Sequence, residues 1–83
     1  MTLTKREFEV VKLLSLGFIA KEIGNSLFLS KRTVESHKEN VFKKNESVRN
    51  IADLVREFVL NFGDPKTAIF YNLIIIINFY TVI

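Results

Sequence analysis

The spacing of apolar residues along the chain predicts four short amphipathic helices followed by an apolar tail. In the first segment, residues 2–16, apolar side chains recur every three positions from Phe8 to Leu14. Thr4 and Glu7 have the spacing of a capping box, so Thr4 is the expected N-cap. This segment carries no recognisable chemistry, and we therefore predict a helix that serves as scaffold.

The second segment carries apolar or small residues at i, i+3, i+4 and i+7, namely Ala20, Ile23, Gly24 and Leu27. This period predicts a helix of two turns, and its small residues permit the close approach of a neighbouring helix. The side chain of Ile19, just before it, cannot accept a hydrogen bond. We therefore expect a frayed or tightly turned start for this helix.

The third segment, residues 31–44, follows a connection of only three residues. Ser30 suits the N-cap position, and Val34, His37 and Val41 at i, i+3 and i+7 predict a narrow inward-facing stripe. The polar side chains left outside are Lys31, Arg32, Glu35, Ser36, Lys38, Glu39 and Lys43. Two helices joined by so short a turn cross steeply, which is the helix-turn-helix geometry. In that motif the second helix enters the major groove of DNA.

The fourth segment has the most regular period in the chain, with Ile51, Leu54, Val55, Phe58, Val59 and Phe62 on one face. Asn50 is the expected N-cap, and the sequence Gly63-Asp64-Pro65 is expected to end the helix. Six large apolar residues exceed what one side of a small core needs. Two interpretations remain open: part of this face is buried against a partner subunit, or all of it packs on the first helix.

The tail, residues 64–83, has no charge after Lys66, and residues 68–83 are interrupted only by Asn72, Asn78 and Thr81. As a helix, residues 68–83 would be about 24 Å long, short of the roughly 30 Å core of a bilayer. Their composition favours strands. We expect the tail to pack against its own bundle or a partner subunit. Contact with a membrane and an aberrant, aggregation-prone end are the alternatives.

The composition narrows the possible functions. The chain has 83 residues, one histidine and no cysteine. It therefore has room for one small domain and lacks the ligands for a thiolate metal site or a disulfide. We expect no signal peptide and a cytoplasmic location. With no glycine-rich phosphate loop and no clustered carboxylates, the sequence argues against an enzyme and predicts no cofactor or metal.

The net charge of +3 comes from one stretch of the chain. Residues 31–44 hold five Lys or Arg against two Glu, whereas seven basic and seven acidic residues balance in the rest of the chain. Such a concentration is the electrostatic footprint expected of a protein that binds phosphates. On charge alone, a solvated helix face is an equal alternative.

The first two thirds of the chain resemble a known family. The matching residues are Leu3-Thr4-Lys5-Arg6-Glu7, Glu9-Val10, Leu13-Leu14, Gly17, Lys21-Glu22-Ile23, Leu27, Leu29-Ser30, Thr33-Val34-Glu35, His37-Lys38, Asn40-Val41 and Lys43-Lys44. Many spaced matches in one register are more specific than a lone helix-turn-helix pattern. By these residues the chain is similar to the LuxR-type (GerE-like, NarL/FixJ-like) DNA-binding domain of bacterial transcription regulators.

The resemblance implies an all-α, four-helix domain over residues 1–63 that binds double-stranded DNA, usually as a homodimer, with its third helix in the major groove. It implies phosphate contacts by Thr33, His37, Lys38 and Lys43, joined by Lys21 and Ser30 from the preceding helix and turn. It places Val34, Glu35, Ser36 and Glu39 nearest the base edges. The candidate DNA-binding set is completed by Lys31, Arg32, Asn40 and Lys44. The family's dimer contact lies on the fourth helix, which here offers Ile51, Ala52, Val55 and Val59.

Several of these assignments have alternatives. Val34 is also a core position, His37 lies at the edge of the inward stripe, and Asn40 is able to bond backbone as well as DNA. After Lys44 the chain departs from the family, because Asn45 stands where a leucine is usual. The sequence therefore leaves open where the third helix ends and whether part of the core is lost there. The leading function is sequence-specific transcriptional regulation; the alternative is a degenerate helix-turn-helix that acts as a dimerisation or membrane-tethered module.

Overall fold

The computed structural model describes residues 1–64, which form four helices. These are α1 (Lys5–Ser15), α2 (Ala20–Leu27), α3 (Lys31–Lys44) and α4 (Ile51–Phe62). The predicted all-α class is confirmed, and α1 is shorter than expected because it begins only after its N-cap. Within this described part, no helix is long and apolar enough to cross a membrane. The predictions made for the tail lie outside the described residues.

Side-chain caps begin three of the four helices, as predicted. The side chains of Thr4, Ser30 and Asn50 each accept a hydrogen bond from a backbone N–H three residues later, at 3.2, 3.1 and 2.9 Å. Helix α2 has no such cap, as expected of Ile19. Its start is nevertheless fixed, because the Ile19 N–H donates to Oε1 of Glu22 at 3.0 Å. A carboxylate in the first turn also suits the positive end of the helix dipole.

Two apolar clusters meet along α1. The first lies between α1, α3 and α4 and contains Val11, Val41, Val48, Leu54 and Phe58. The second lies between α1, α2 and α3 and contains Val10, Ile23 and Val34. Neighbouring valines of α1 thus belong to different clusters, so α1 is the central support of the domain. Helix α3 packs on both α1 and α2, which leaves its opposite side to solvent.

The end of α3 is stabilised by polar contacts where the family has a leucine. Asn45 is only 8% exposed. Its Nδ2 donates to the Val41 carbonyl at 2.8 Å and to the Thr2 carbonyl at 3.1 Å, and its Oδ1 accepts from the Thr2 N–H at 2.7 Å. Val48, only 3% exposed, completes the first cluster. The loss of core considered from the sequence does not occur, because a hydrogen-bonded amide and a nearby valine replace the leucine.

The turn between α2 and α3 is unusually close to α2. The Leu29 N–H donates to the Gly24 carbonyl at 2.8 Å. A Cβ atom at Gly24 would lie 2.5 Å from the Leu29 carbonyl oxygen, so the absence of a side chain permits this approach. Leu29 then packs against the second cluster, and Ser30 caps α3. The connection therefore holds α2 and α3 in a fixed relation.

Candidate nucleic-acid interface

Helices α2 and α3 form a helix-turn-helix. They pack on each other through Ile23 and Val34, both fully buried, with Leu27 and Leu29 alongside. Only three residues separate the two helices. This arrangement fixes α3 by its inner side and presents its outer side as a ridge, which is the geometry that places a recognition helix in a major groove.

The outer side of α3 carries a stripe of exposed side chains at i, i+3, i+4, i+7 and i+11. These residues, which we name the outer stripe, are Arg32, Glu35, Ser36, Glu39 and Lys43. Cations stand at its two ends, and two glutamates flank the serine in its middle. The stripe is therefore electrostatically divided along its length. Its ends suit phosphates, and its centre offers hydrogen-bond acceptors.

The centre of the outer stripe matches the chemistry of base edges. A glutamate accepts a hydrogen bond from the N4 amino group of cytosine, and a serine hydroxyl either donates or accepts. Glu35 is only loosely held, because its Oε1 lies 3.9 Å from Lys31 Nζ with 52% and 67% of the two side chains exposed. An exposed pair of this kind contributes little stability. Both side chains are thus available to a partner.

Three lysines converge on one flank of α3. They line a groove of about 550 Å³ whose lining includes Lys21, Lys31, Lys38, Leu14, Phe18, Ile19, Val34 and Ile51. Lys21, at the start of α2, therefore lies on the same surface as the lysines of α3, although the sequence places it ten or more residues away. Its contact with phosphate stays a prediction.

Val34 does not belong to this surface as a base contact. Its side chain is fully buried with Val10 and Ile23. An atom with no exposed surface cannot touch a thymine methyl, so the base-contact assignment is wrong and the core alternative is correct. The helical period had already placed Val34 on the inward-facing stripe, whereas the base-contact assignment came from family position alone.

Lys44 is engaged inside the protein. Its Nζ donates to Oε1 of Glu7, and this ion pair joins the end of α3 to the start of α1. Burial raises the pKa of Glu7, but the hydrogen bonds from Lys44 and Thr4 and the charge of Lys44 outweigh it, and the net pKa is lowered. The acceptor is 4% exposed. Lys44 therefore orients α3, and it is a weaker candidate for phosphate than Lys43.

The remaining candidates lie at the edges of the ridge. Thr33 is half-buried, and its Oγ1 lies 2.9 Å from Ser30 Oγ. His37 and Lys38 are also half-buried, whereas Asn40 is exposed. Within residues 1–64 neither the His37 nor the Asn40 side chain makes a hydrogen bond, so both side chains remain able to bond an external partner. Their roles at DNA stay predictions.

Helix α4 exposes an apolar stripe beside its buried face. Leu54 and Phe58 are fully buried, but Ile51 is 41% and Val59 42% exposed. The stripe, which we name the α4 stripe, consists of Ile51, Ala52, Val55 and Val59. Ala52 is also exposed, and Val55 is half-buried. The helix therefore has more apolar surface than α1 covers, as its sequence predicts.

These features define a helix-turn-helix DNA-binding domain, and the comparisons identify the family. The model of the luxR family of bacterial regulatory proteins matches residues 1–58, so the chain belongs to that family. It thus carries the DNA-binding domain of a family of bacterial regulatory proteins, and it is similar to a response regulatory protein and an oxygen regulatory protein. The predicted resemblance is confirmed.

The curated relatives match about half of the chain. It is 50% identical over 42 residues to the response regulatory protein YgeK of Escherichia coli (strain K12), covering 51% of the chain and 29% of that protein. It is 45% identical over 42 residues to the oxygen regulatory protein NreC of Staphylococcus carnosus (strain TM300), covering 51% of the chain and 19% of the relative. The chain thus spans less than a third of these relatives. No solved structure matches it.

Proposed function

We propose that the chain recognises specific double-stranded DNA as a homodimer, with the outer stripe of α3 in the major groove, and performs no catalysis. The observation that carries this proposal is the division of the outer stripe into cationic ends and a hydrogen-bonding centre. Among residues 1–64, no three His, Cys, Asp or Glu side chains are grouped to hold a metal ion. DNA binding in a bacterium would place the protein in the cytoplasm.

The distribution of charge indicates which side chains contact phosphates and which contact base edges. Arg32 and Lys43 at the ends of the stripe, with Lys21 and Lys38 on its flank, meet phosphates and set the register of the domain on DNA. Ser36, between Glu35 and Glu39, reads base edges. The glutamates favour base pairs that present an amino group and repel phosphate elsewhere, so they reduce binding to unrelated sequences.

The double substitution Lys38→Ala and Lys43→Ala should weaken binding to all duplexes. Loss of two phosphate contacts is expected to lower affinity about 10–100-fold at low salt and to reduce the slope of log affinity against log salt by about 2. The measurement is fluorescence anisotropy with a duplex panel at several salt concentrations, including the tightest duplex from a random-sequence selection.

Two control variants show whether the effect comes from this surface and from phosphate contacts. Lys5→Ala with Lys12→Ala removes the same charge from α1 and should leave the slope nearly unchanged. Ser36→Ala should alter the ranking of duplexes and leave the slope unchanged. Failure of the unmodified chain to bind any duplex at low salt would refute the proposed function, and equal effects of the two lysine pairs would refute the assigned surface.

The α4 stripe supports the homodimer. Exposed apolar side chains at helical spacing, beside a face already packed on α1, provide a surface that a second copy of the same stripe can cover. Paired copies would present two α3 helices to successive major grooves, which explains how a short reading helix reaches adequate specificity.

Val59→Glu should prevent dimer formation and leave the folding of the domain intact. We expect at least tenfold weaker binding to a duplex with two half-sites, unchanged binding to one half-site, and little change in the unfolding midpoint, because Val59 is 42% exposed. Leu60→Glu is the matched control, since Leu60 is 72% exposed and lies outside the stripe. Equal behaviour of the two variants on both duplexes would contradict the α4 dimer.

The alternative of a degenerate module receives no support from residues 1–64. One of its two motives was the altered sequence after Lys44, and that segment is packed and hydrogen-bonded through Asn45 and Val48. The other motive, the apolar tail, lies outside the described residues. Removing the residues after Phe62 tests the alternative directly. A DNA reader would keep its sequence preference, whereas an assembly driven by the tail would dissociate and lose its partner.

A further inference from the structure

Phe28, in the turn between α2 and α3, is anomalous in two independent respects. Its side chain is 96% exposed, more than any other large apolar residue described. Its backbone has φ 58 and ψ 41, and it is the one residue other than glycine with positive φ among residues 1–64. A bulky side chain in the left-handed region is strained, and such strain is found preferentially where a residue has a function.

The surrounding contacts fix this conformation. The residue ends α2, its N–H bonding the Gly24 carbonyl, and the following Leu29 N–H bonds the same carbonyl at 2.8 Å. Leu29 packs inward against the second cluster, and Ser30 caps α3. The backbone on both sides of Phe28 is therefore held, and its ring is directed outward. Glycine or asparagine would normally occupy such a position.

The position of the ring identifies what can cover it. Phe28 lies two residues before the N-cap of α3 and three residues before Lys31, which with Arg32 forms the cationic start of the ridge. When α3 enters the major groove, the segment leading to its first turn meets the edge of that groove. The deoxyribose faces and thymine methyl groups there are the apolar parts of an otherwise anionic partner, and phenylalanine is suited to contact a thymine methyl.

We propose that Phe28 is a DNA-contacting residue whose ring packs on the sugar and thymine-methyl surface at the edge of the groove entered by α3. The proposal rests on the proposed function and extends its interface from the charged ridge to the turn. The contact anchors the start of α3 by excluding water from an apolar surface. It differs from the lysine contacts in one measurable respect, since it releases no counterions.

Phe28→Asn tests the proposal. Asparagine tolerates the left-handed conformation, so the variant should fold with an unfolding midpoint equal to or above that of the unmodified chain. Its affinity for the tightest selected duplex should fall about 5–20-fold, the range expected for losing one apolar base or sugar contact. The loss should be the same at every salt concentration, with the salt slope unchanged. Phe28→Leu should retain part of the affinity.

The outcomes are distinguishable. Leu60→Asn, which removes an exposed apolar side chain from α4, should leave affinity unchanged and serves as control. Absence of DNA binding by the unmodified chain refutes the proposed function itself. Binding by that chain together with an unchanged affinity for Phe28→Asn overturns the Phe28 contact alone. A loss accompanied by a smaller salt slope also overturns it, because Phe28 would then act by positioning the lysines.

One further result would identify a different partner. If Phe28→Asn binds DNA normally but reduces transcription in a reconstituted assay with RNA polymerase, the ring contacts a protein. That outcome likewise overturns the DNA contact.

Discussion

Phe58→Ala should be the most destabilising of the substitutions considered, with a loss of about 3–5 kcal/mol in the free energy of unfolding. Phe58 is fully buried in the cluster that joins α1, α3 and α4. Its ring centroid lies 5.4 Å from that of Phe8 and 5.1 Å from that of Phe62. Since native domains have only ~0.05–0.15 kcal/mol of stability per residue, this loss should consume most of the stability of so small a fold.

Urea titration followed by far-ultraviolet circular dichroism measures this effect. Phe58→Leu keeps most of the volume and should cost less than about 1.5 kcal/mol. Leu60→Ala, on the same helix but 72% exposed, should change the stability by less than about 0.5 kcal/mol. A Phe58→Ala variant no less stable than Leu60→Ala would contradict the assigned core.

Local features of the fold were predictable from the sequence because they depend on neighbours in the chain. The caps of Thr4, Ser30 and Asn50 involve backbone groups three residues away, and the apolar periods report one helix at a time. Contacts between distant residues were not predictable in this way. Asn45 bonds Thr2 across 43 positions, and Lys44 bonds Glu7 across 37. Neither pair has a periodic signature.

The same distinction between local features and contacts of distant residues explains which parts of the candidate interface were predicted from the sequence. The polar side of α3 follows from helical periodicity, so all five residues of the outer stripe were predicted from the sequence. Charge counting alone included Lys44, because it does not reveal that an internal glutamate already holds that lysine. Phe28 was not among the candidates because it lies in the short connection and carries neither a charge nor a hydrogen-bonding group. The available signal was a large residue where a helix usually ends in glycine or asparagine.

The second large effect is expected at Glu7, where a charged group supports the fold. Glu7→Ala should lower the free energy of unfolding by about 2–3 kcal/mol. The side chain is 4% exposed, accepts from the Thr4 N–H at 2.8 Å, and pairs with Lys44. Its removal leaves a capping donor without its acceptor and frees the end of α3 from α1. The loss of stability should be accompanied by weaker DNA binding, since α3 loses one of its supports.

The contribution of the Glu7 charge to stability should be lost in acid. Its pKa in the folded chain is lowered from the ordinary value of 4.5. A lowered pKa adds stability that is fully present above the unfolded-state value and is lost as the pH falls through the folded-state value. Glu7→Gln keeps the shape and an acceptor but cannot ionise, so its deficit relative to the unmodified chain should be constant at neutral pH and shrink below about 4.5. Glu9→Gln, which removes an exposed carboxylate paired with Arg6, should show little deficit at any pH. A Glu7→Gln variant as stable as the unmodified chain at neutral pH would show that the ion pair with Lys44 does not stabilise the fold, and that Glu7 acts only through its shape and its cap.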